Sequence, residues 1–474
     1  MLFTQIEFFA LLFPTVFLYY LPPIRRAQIG VLVAASFIFY AYHLPALLIL
    51  LITSILFNGG TAWFISRRPA RALARTAAVL GVVFNLLVLG FFKYNKLLAG
   101  LVFADISKLD GIGAVIVALP LPIGISFYTF QGISLVIDQF RRKTNDAGDG
   151  VLEGKSSYVG YSVRTGLFLS FFPQLIAGPI VKASEFLPQI KAKYFRDIEW
   201  NDVTRYLILG FFLKLVIADN LKDNTIWIKY PALLQESSWD LLSMLLAYSV
   251  QIFADFAGYS YIALGLGAIF QYRLPVNFNY PYISRSFSEF WTRWHISLSS
   301  FLRDYLYIPL GGNRVAPWRM YLNLMITMIL GGLWHGAAWS YAFWGFFHGL
   351  LLVMERPFLQ RGWYEKFPDT ARRIFVFACV TFGWLFFVLN DISHAVEFLK
   401  AIGTSFHRPA RLDNIWLIIL YSLPVFCMHF YYLHGEKLRA RFPGRHWKPV
   451  AFAIMLFLIS SDAGESDAFI YFQF

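Results

Sequence analysis

The sequence predicts an all-α protein that crosses a membrane several times, and three observations predict it. Of its 474 residues, 58% are hydrophobic and 19% aromatic, while only 15% are charged; a soluble domain carries about 25% charged residues. Mean hydropathy is +0.56. Long apolar runs recur down the chain, and several reach the roughly 20 residues that a membrane-spanning helix needs.

Those runs fall near residues 6–21, 29–42, 44–65, 76–95, 112–137, 158–180, 205–218, 241–270, 321–353, 374–389, 412–432 and 449–460. They are rich in Leu, Phe, Ile and Ala without period-two alternation, which favours helices over barrel strands. The first run is preceded by Met-Leu-Phe-Thr-Gln-Ile-Glu, with no basic segment before it and no small-residue cleavage site after it. It is expected to be a retained span, not a signal peptide. No repeat or low-complexity linker interrupts the chain, so one membrane domain is expected over 1–474: N-terminal spans in 1–140, a core in 141–355, and C-terminal spans in 356–474.

Formal net charge is +13. In a soluble protein that would suggest nucleic acid; here basic residues concentrated in cytoplasmic loops account for it, and no nucleic-acid partner is expected. Arg25 and Arg26 follow the first run and place the N-terminus outside. Arg67, Arg68, Arg71 and Arg75, then Arg141, Arg142 and Lys143, return to the cytoplasmic side on schedule. Cys379 and Cys427 lie in apolar runs without metal or redox spacing and read as small buried hydrophobes.

The charge parity breaks twice. Residues 158–180 have basic flanks on both sides, Lys155 before and Lys182, Lys191, Lys193 and Arg196 after. They also contain Phe-Pro-Gln-Leu-Ile-Ala-Gly-Pro, which no straight helix accommodates. A re-entrant segment is expected. Residues 321–353 likewise lie between Arg303, Arg314 and Arg319 on one side and Arg356, Arg361, Arg372 and Arg373 on the other. A bent or hairpin arrangement is expected, with Gly331 and Gly332 offering the break and His335 near it.

Ionisable groups inside apolar runs cost about 2.5–3.5 kcal/mol each on insertion scales and mark cavities. Asp138, Arg164, Lys214, Asp255, His335 and His348 are the candidates. Lys214 and Arg164 read as residues reaching for the interface, and Asp138 as the partner of Arg141 or Arg142. Asp255 either pairs with a buried Arg or shapes a polar tunnel. His348, 13 residues after His335, would face another side of an unbroken helix and reads as packing. Around His335, Gly336, Ala337 and Ala338 leave room for a substrate, with Trp334 and Trp339 as walls. A neutral imidazole there suits a general base for a hydroxyl nucleophile. Residues 288–312 mix aromatic and aliphatic residues with Arg293, Arg303 and Arg314, as an interfacial helix does. There, His295 and the nearby arginines would line the entrance for an anionic thioester donor.

Phe-Trp-Thr-Arg-Trp-His (290–295), Leu-Arg-Asp-Tyr-Leu-Tyr-Ile-Pro-Leu-Gly-Gly-Asn (302–313) and Gly-Gly-Leu-Trp-His-Gly-Ala (331–337) closely resemble the membrane-bound O-acyltransferases. The likeness is strongest to their bacterial branch that acetylates alginate. Pro-Ile-Gly-Ile-Ser-Phe-Tyr-Thr-Phe-Gln-Gly (122–132), Phe-Phe-Pro-Gln-Leu-Ile-Ala-Gly-Pro-Ile (171–180), Asp-Phe-Ala-Gly-Tyr-Ser (255–260) and the tail Phe-Ile-Tyr-Phe-Gln-Phe (469–474) extend it over most of the chain. The resemblance implies about 11 transmembrane helices plus re-entrant and interfacial helices, forming a ring around a central tunnel. It implies that His335 is the catalytic histidine and His295 the second motif residue, with Asp255, Gln131, Gln174, Trp294, Trp334 and Arg303 as tunnel candidates. It implies no bound cofactor or metal, acetyl-CoA as donor, a periplasmic SGNH-type partner, a polysaccharide acceptor, and a place in the bacterial inner membrane. Three rivals remain: D-alanyl transfer from a carrier protein to teichoic acid, a transporter or flippase for an acylated precursor, and lipid acylation with a long-chain donor.

Overall fold

The computed structural model describes residues 1–67, 70–103, 111–144, 157–362, 364–441 and 447–464. The tail at 469–474, Arg68 and Lys155 lie outside the described residues. Among those described there is no β-strand, as the absence of period-two patterning predicts. Among the described residues, six helices are long and apolar enough to cross a membrane: 22–41, 47–67, 71–102, 238–269, 369–388 and 412–438. Most are less than half buried within the protein, and residues such as Phe17, Ile49, Leu87, Trp416 and Phe457 point outward. An outward apolar face of this kind is what a lipid solvent requires, since the bilayer is as apolar as leucine.

The chain forms two compact units, Met1–Leu207 with Ile262–Pro275, and Ile208–Tyr261 with Val276–Phe474. The first begins with α1 (Ile6–Tyr20), α2 (Gln28–Ala41), α3 (Leu47–Arg67), α4 (Arg71–Val102), α5 (Gly111–Ala118) and α6 (Ile125–Thr144). Helices α3, α4 and α6 pack together through small and branched side chains: Ile65, Ala74, Ala78 and Val136 form one buried cluster. Polar residues add to the contact. Asn58 and Asn85 are fully buried and exchange side-chain amide hydrogen bonds of 3.2 and 2.8 Å. Gly132 makes room for them, because a Cβ there would lie 2.7 Å from Asn85 Oδ1. Interhelical amide pairs of this type hold apolar helices together where burial alone gives little.

After α7 (Tyr158–Ser170) the helix stops at Phe171 and gives way to single turns, α8 (Phe172–Leu175) and α9 (Ala183–Phe186). Thirteen residues at about 1.5 Å each fall well short of a bilayer core, so the re-entrant reading of 158–180 is consistent with the shape observed. Residues 171–181 are all buried, and Phe171, Phe172, Phe186, Phe270 and Tyr272 enclose them, with Phe186 and Tyr272 stacked at 5.0 Å. Irregular backbone is therefore enclosed by protein, the condition that a re-entrant segment has to meet. Asp138 at the end of α6 accepts the Ser184 backbone N–H at 3.2 Å, at the start of α9.

The second unit takes in the end of α10 (Trp200–Phe211), a π-helical turn at Phe212–Ala218, and α11 (Asp219–Thr225). The long α12 (Ser238–Ile269), whose residues from Ile262 onward belong to the first unit, is 83% buried over its apolar window. Two short helices follow, α13 (Phe287–Arg293) and α14 (Ile296–Leu302), the latter running into a π-helical turn at Arg303–Tyr307. Then come α15 (Pro317–His335), α16 (Trp339–Gln360), α17 (Asp369–Val388), α18 (Ile392–Thr404), α19 (Leu412–Arg441) and α20 (Trp447–Ser461).

Helices α15 and α16 form a hairpin, as the charge parity of 321–353 predicts, but the break is not at Gly331 and Gly332. It falls at Gly336–Ala338, directly after His335. The two earlier glycines stay helical and serve the packing instead: a Cβ on Gly331 would lie 3.0 Å from Leu302 Cδ1 and one on Gly332 2.2 Å from Tyr341 O, while on the facing helix one on Gly345 would lie 2.3 Å from Met328 O. Cys379 is partly buried and Cys427 exposed, so the expectation of two buried thiols fails for Cys427.

Candidate active site

His335 is the last residue of α15, and His295 is the hinge between α13 and α14. Their ring centroids lie 6.2 Å apart, and their exposures are 4% and 1%. Two motifs separated by 40 residues thus converge on one buried point.

His295 is held in an uncommon backbone conformation, φ 43° and ψ 53°. This left-handed region is sparsely populated by residues with a Cβ, and it persists only where neighbours enforce it. Here the extended segment before α13 does so. Ile296 N–H donates to Asn277 O at 2.9 Å, Asn279 N–H donates to Arg293 O at 3.0 Å, and Ser297 Oγ donates to Asn277 Oδ1 at 2.6 Å. Asn277 is itself fixed by its donation to Ser260 Oγ on α12 at 3.0 Å. Both ring nitrogens of His295 are buried without a hydrogen-bond partner among the described residues. Phe256 meets the ring edge-on at 4.6 Å.

The N-terminus of α13 is anchored across the unit. Glu355 of α16, 5% exposed, accepts the Phe287 N–H at 2.7 Å and the Ser288 N–H at 3.0 Å, while Ser286 Oγ accepts the Glu289 N–H at 2.9 Å. These are the orphan donors of a helix start, and a carboxylate is the group that suits them. Glu289 in turn binds Arg293 (2.9 Å) and Arg285 (3.4 Å). Burial pushes its carboxyl up, but the Arg285 backbone N–H and the two guanidiniums outweigh that and hold it below the usual range.

An aromatic wall surrounds the pair. Trp334 lies 5.9 Å from His295 and 5.1 Å from His335; Trp344 and Phe387 each lie 5.3 Å from His335. Trp339 is 55% exposed and is no part of this wall; Trp344 and Phe387 take the place the sequence reading gave it. Gly336 does not leave room for a substrate either. A Cβ there would lie 2.1 Å from the Tyr341 ring, which fills the space and hydrogen-bonds through its hydroxyl to Asn390 Oδ1 at 2.8 Å. His348 also turns toward this region, 4.7 Å from Trp344 and 5.3 Å from Trp291. The unbroken helix that would have separated it from His335 does not exist.

A cavity of about 330 Å³ opens onto His335, lined among others by Trp291, Thr292, Arg303, Tyr307 and Trp344. Arg303 is therefore at this cavity, paired with Asp304 at 2.7 Å but 62% exposed. Arg293 is locked to Glu289 and Asn279 O instead. Trp294 is 1% exposed and packs between Phe290, Phe278 and Trp384, a core residue beside the site. Gln131 and Gln174 belong to the first unit: Gln131 is buried with neither amide atom hydrogen-bonded among the described residues, and Gln174 donates to Phe168 O at 2.9 Å.

Asp255 is 4% exposed, and its buried partner is a lysine, not an arginine. Lys214 Nζ lies 2.9 Å from Asp255 Oδ1 and 2.6 Å from Asp219 Oδ1. Lys214 therefore does not snorkel; the π-helical turn carries it inward. Asp219 and Glu355 had no distinguishing sequence signal. Lys214, Asp219 and Asp255 form one ion cluster only because Gly258 lets α12 approach: a Cβ there would lie 2.9 Å from Gly210 O and Lys214 N. No group of three or more His, Cys, Asp or Glu side chains suited to a metal occurs among the described residues.

The buried histidine pair sits on an all-helical scaffold with several helices apolar enough to cross a membrane, and comparison with known proteins supplies the class. The chain belongs to the membrane-bound O-acyltransferase family, whose model matches residues 165–392. It is an acyltransferase by family. It is 35% identical over 430 residues to a peptidoglycan O-acetyltransferase of Helicobacter pylori, covering 84% of this chain and 80% of that one. It is 38% identical over 390 residues to a probable alginate O-acetylase, AlgI, of Azotobacter vinelandii, covering 81% and 74%. A teichoic acid D-alanyltransferase of Streptococcus thermophilus matches at 33% over 50% of this chain and 58% of its own length.

Proposed function

We propose that the chain moves an acetyl group from acetyl-CoA on the cytoplasmic side of the inner membrane to a hydroxyl acceptor on the other side, for O-acetylation of an exopolysaccharide. The observation that carries this reading is the convergence of His295 and His335, 6.2 Å apart, with His335 on the lining of a cavity that also includes Arg303. His335 takes the proton of the acceptor hydroxyl as its oxygen attacks the thioester carbonyl. The C–S bond then breaks, and the proton passes to the departing thiolate, so the products are the ester and free CoA thiol. In this reading His295 positions the donor or stabilises the developing oxyanion. Arg303 offers a cation to the donor's phosphates near the cavity mouth.

A tunnel within a ring of about 11 spans joins the two sides in this reading, and a periplasmic SGNH-type protein passes the acetyl group on to the polysaccharide. Relatives whose names specify alginate or peptidoglycan acetylation cover more of the chain than those named for D-alanyl transfer, which favours acetyl over D-alanyl. The test uses proteoliposomes supplied with acetyl-labelled CoA on one side and a hydroxyl acceptor on the other. Wild type transfers the label, and His335→Ala, inserted at equal level, loses at least a hundredfold. Transfer by His335→Ala at the wild-type rate would overturn the assignment, and label that crosses only as intact donor would mean transport instead.

A further inference from the structure

The unit that holds the histidine pair contains a second cavity, of about 510 Å³, whose lining includes Val388, Leu389 and Asn390 at the end of α17. That helix end stands between the cavity and His335. Phe387 packs against His335 at 5.3 Å and against Tyr341 at 5.1 Å, while the next three residues line the second cavity. Tyr341 completes the separation. Its ring fills the space beside Gly336, the neighbour of His335, and its hydroxyl donates to Asn390 Oδ1 at 2.8 Å. One tyrosine thus reaches from the backbone next to His335 to a residue on the wall of the second cavity. His335 itself lines the 330 Å³ cavity read above as the donor's. From Asp369, beside Arg372 and Arg373, α17 runs 20 residues to Val388, about 30 Å at 1.5 Å per residue. On the sidedness expected from the loop charges, the second cavity therefore lies toward the face opposite the donor, the face from which the acceptor hydroxyl comes.

Chemistry gives this separation a task. A base that activates an alcohol beside a thioester also activates water. Attack by water on the carbonyl breaks the C–S bond and yields acetate and free CoA thiol in place of the ester. A transferase has to keep water from the thioester until its acceptor arrives. On the His335 side the partition is buried and aromatic, Tyr341 being 2% exposed and Phe387 1%. Its fastening is at the surface: Asn390 is exposed and sits in the link between Val388 and Ile392. A single neutral hydrogen bond is a weak latch, and a hydroxyl in the second cavity can compete for either end of it.

We propose that Tyr341, latched to Asn390, is the partition that selects an acceptor hydroxyl over water: it closes the second cavity from His335 until the acceptor occupies that cavity. The inference rests on the acyl-transfer reading above for its chemistry, and on the geometry alone for the partition.

The experiment supplies the full-length protein in sealed proteoliposomes with acetyl-CoA and no acceptor, and follows thiol release. Wild type releases thiol slowly. Asn390→Ala and Tyr341→Phe, which lose the latch but keep an aromatic ring beside Gly336, release it about threefold faster or more, and Tyr341→Ala about tenfold faster. Adding His335→Ala removes the gain. Asn390 is exposed, so its variant folds even if Tyr341→Ala does not. A merely structural role predicts slower turnover, not faster. In a protein whose wild type transfers acetyl to an acceptor, thiol release at or below the wild-type rate in both Asn390→Ala and Tyr341→Phe, or a gain that survives His335→Ala, overturns the proposal. Access is measured separately, in a chain with Cys379→Ser and Cys427→Ser. There His335→Cys is labelled by a membrane-impermeant thiol reagent, added on the face that bears Asn390, about tenfold faster when Asn390→Ala is also present. Equal labelling with and without Asn390→Ala overturns the partition. Labelling that follows the latch, in a protein that neither hydrolyses nor transfers acetyl-CoA, sinks the acyl-transfer reading and leaves the partition standing.

Discussion

Gly336→Ala is the sharpest probe of how the hairpin positions His335. Gly336 has extended backbone, φ −158° and ψ 158°, so alanine meets no conformational penalty there and any effect is steric. The new methyl would lie 2.1 Å from Tyr341 Cε2, where ordinary contact begins at 3.4 Å, so the ring or the backbone must yield by roughly 1.3 Å. The ring is held by its hydrogen bond to Asn390 and by its edge-on contact with Phe387 at 5.1 Å. Overpacking of this degree costs about 1–3 kcal/mol. Because Phe387 also contacts His335, the strain reaches the imidazole. A displacement near 1 Å lowers turnover by about a hundredfold. The assay is acetyl transfer in proteoliposomes beside thermal unfolding in detergent. Tyr341→Ala opens a cavity of its own at a buried ring, but it removes the obstruction, so Gly336→Ala should cost little further stability in the Tyr341→Ala background. Unchanged transfer and unchanged unfolding in the single variant would refute the argument.

Lys214→Met leaves Asp219 and Asp255 buried without their cation and should destabilise by about 3–5 kcal/mol, measured by unfolding; Lys214→Met with Asp219→Asn and Asp255→Asn should regain much of it. Glu355→Ala strips two donors at the start of α13 and should cost about 1–3 kcal/mol, whereas Glu355→Gln should fall between it and wild type. Lys193, in the loop before α10, is pushed down to about 8 by burial and by neighbouring Lys191 and Arg273. The unfolded chain then binds the extra proton between about pH 8 and the ordinary lysine value, so stability relative to Lys193→Met should rise with pH across that window; thermal unfolding of both proteins from pH 7 to 10.5 checks the sign.

The sequence alone carried the helical membrane class, because twelve apolar runs without alternation leave few other solutions. Charge parity carried the α15–α16 hairpin and the interrupted segment after α7, since loop charges report sidedness without tertiary knowledge. The histidine motifs carried the family. What the sequence could not place was which glycine breaks the hairpin: Gly331, Gly332 and Gly336 look alike, and only the approach of Leu302, Tyr341 and Gly345 assigns them different tasks. Lys214 read as an interface-seeking lysine because hydropathy ignores the one-residue insertion of a π-turn, which points it at Asp219 and Asp255 instead. Glu355 and His348 acquire partners only when α16 folds back on α13. Apolar patterning is a property of single helices and is legible in one dimension. The buried charges and the left-handed turn at His295 are settled by contacts between helices far apart in the chain, which exist only once the helices have packed.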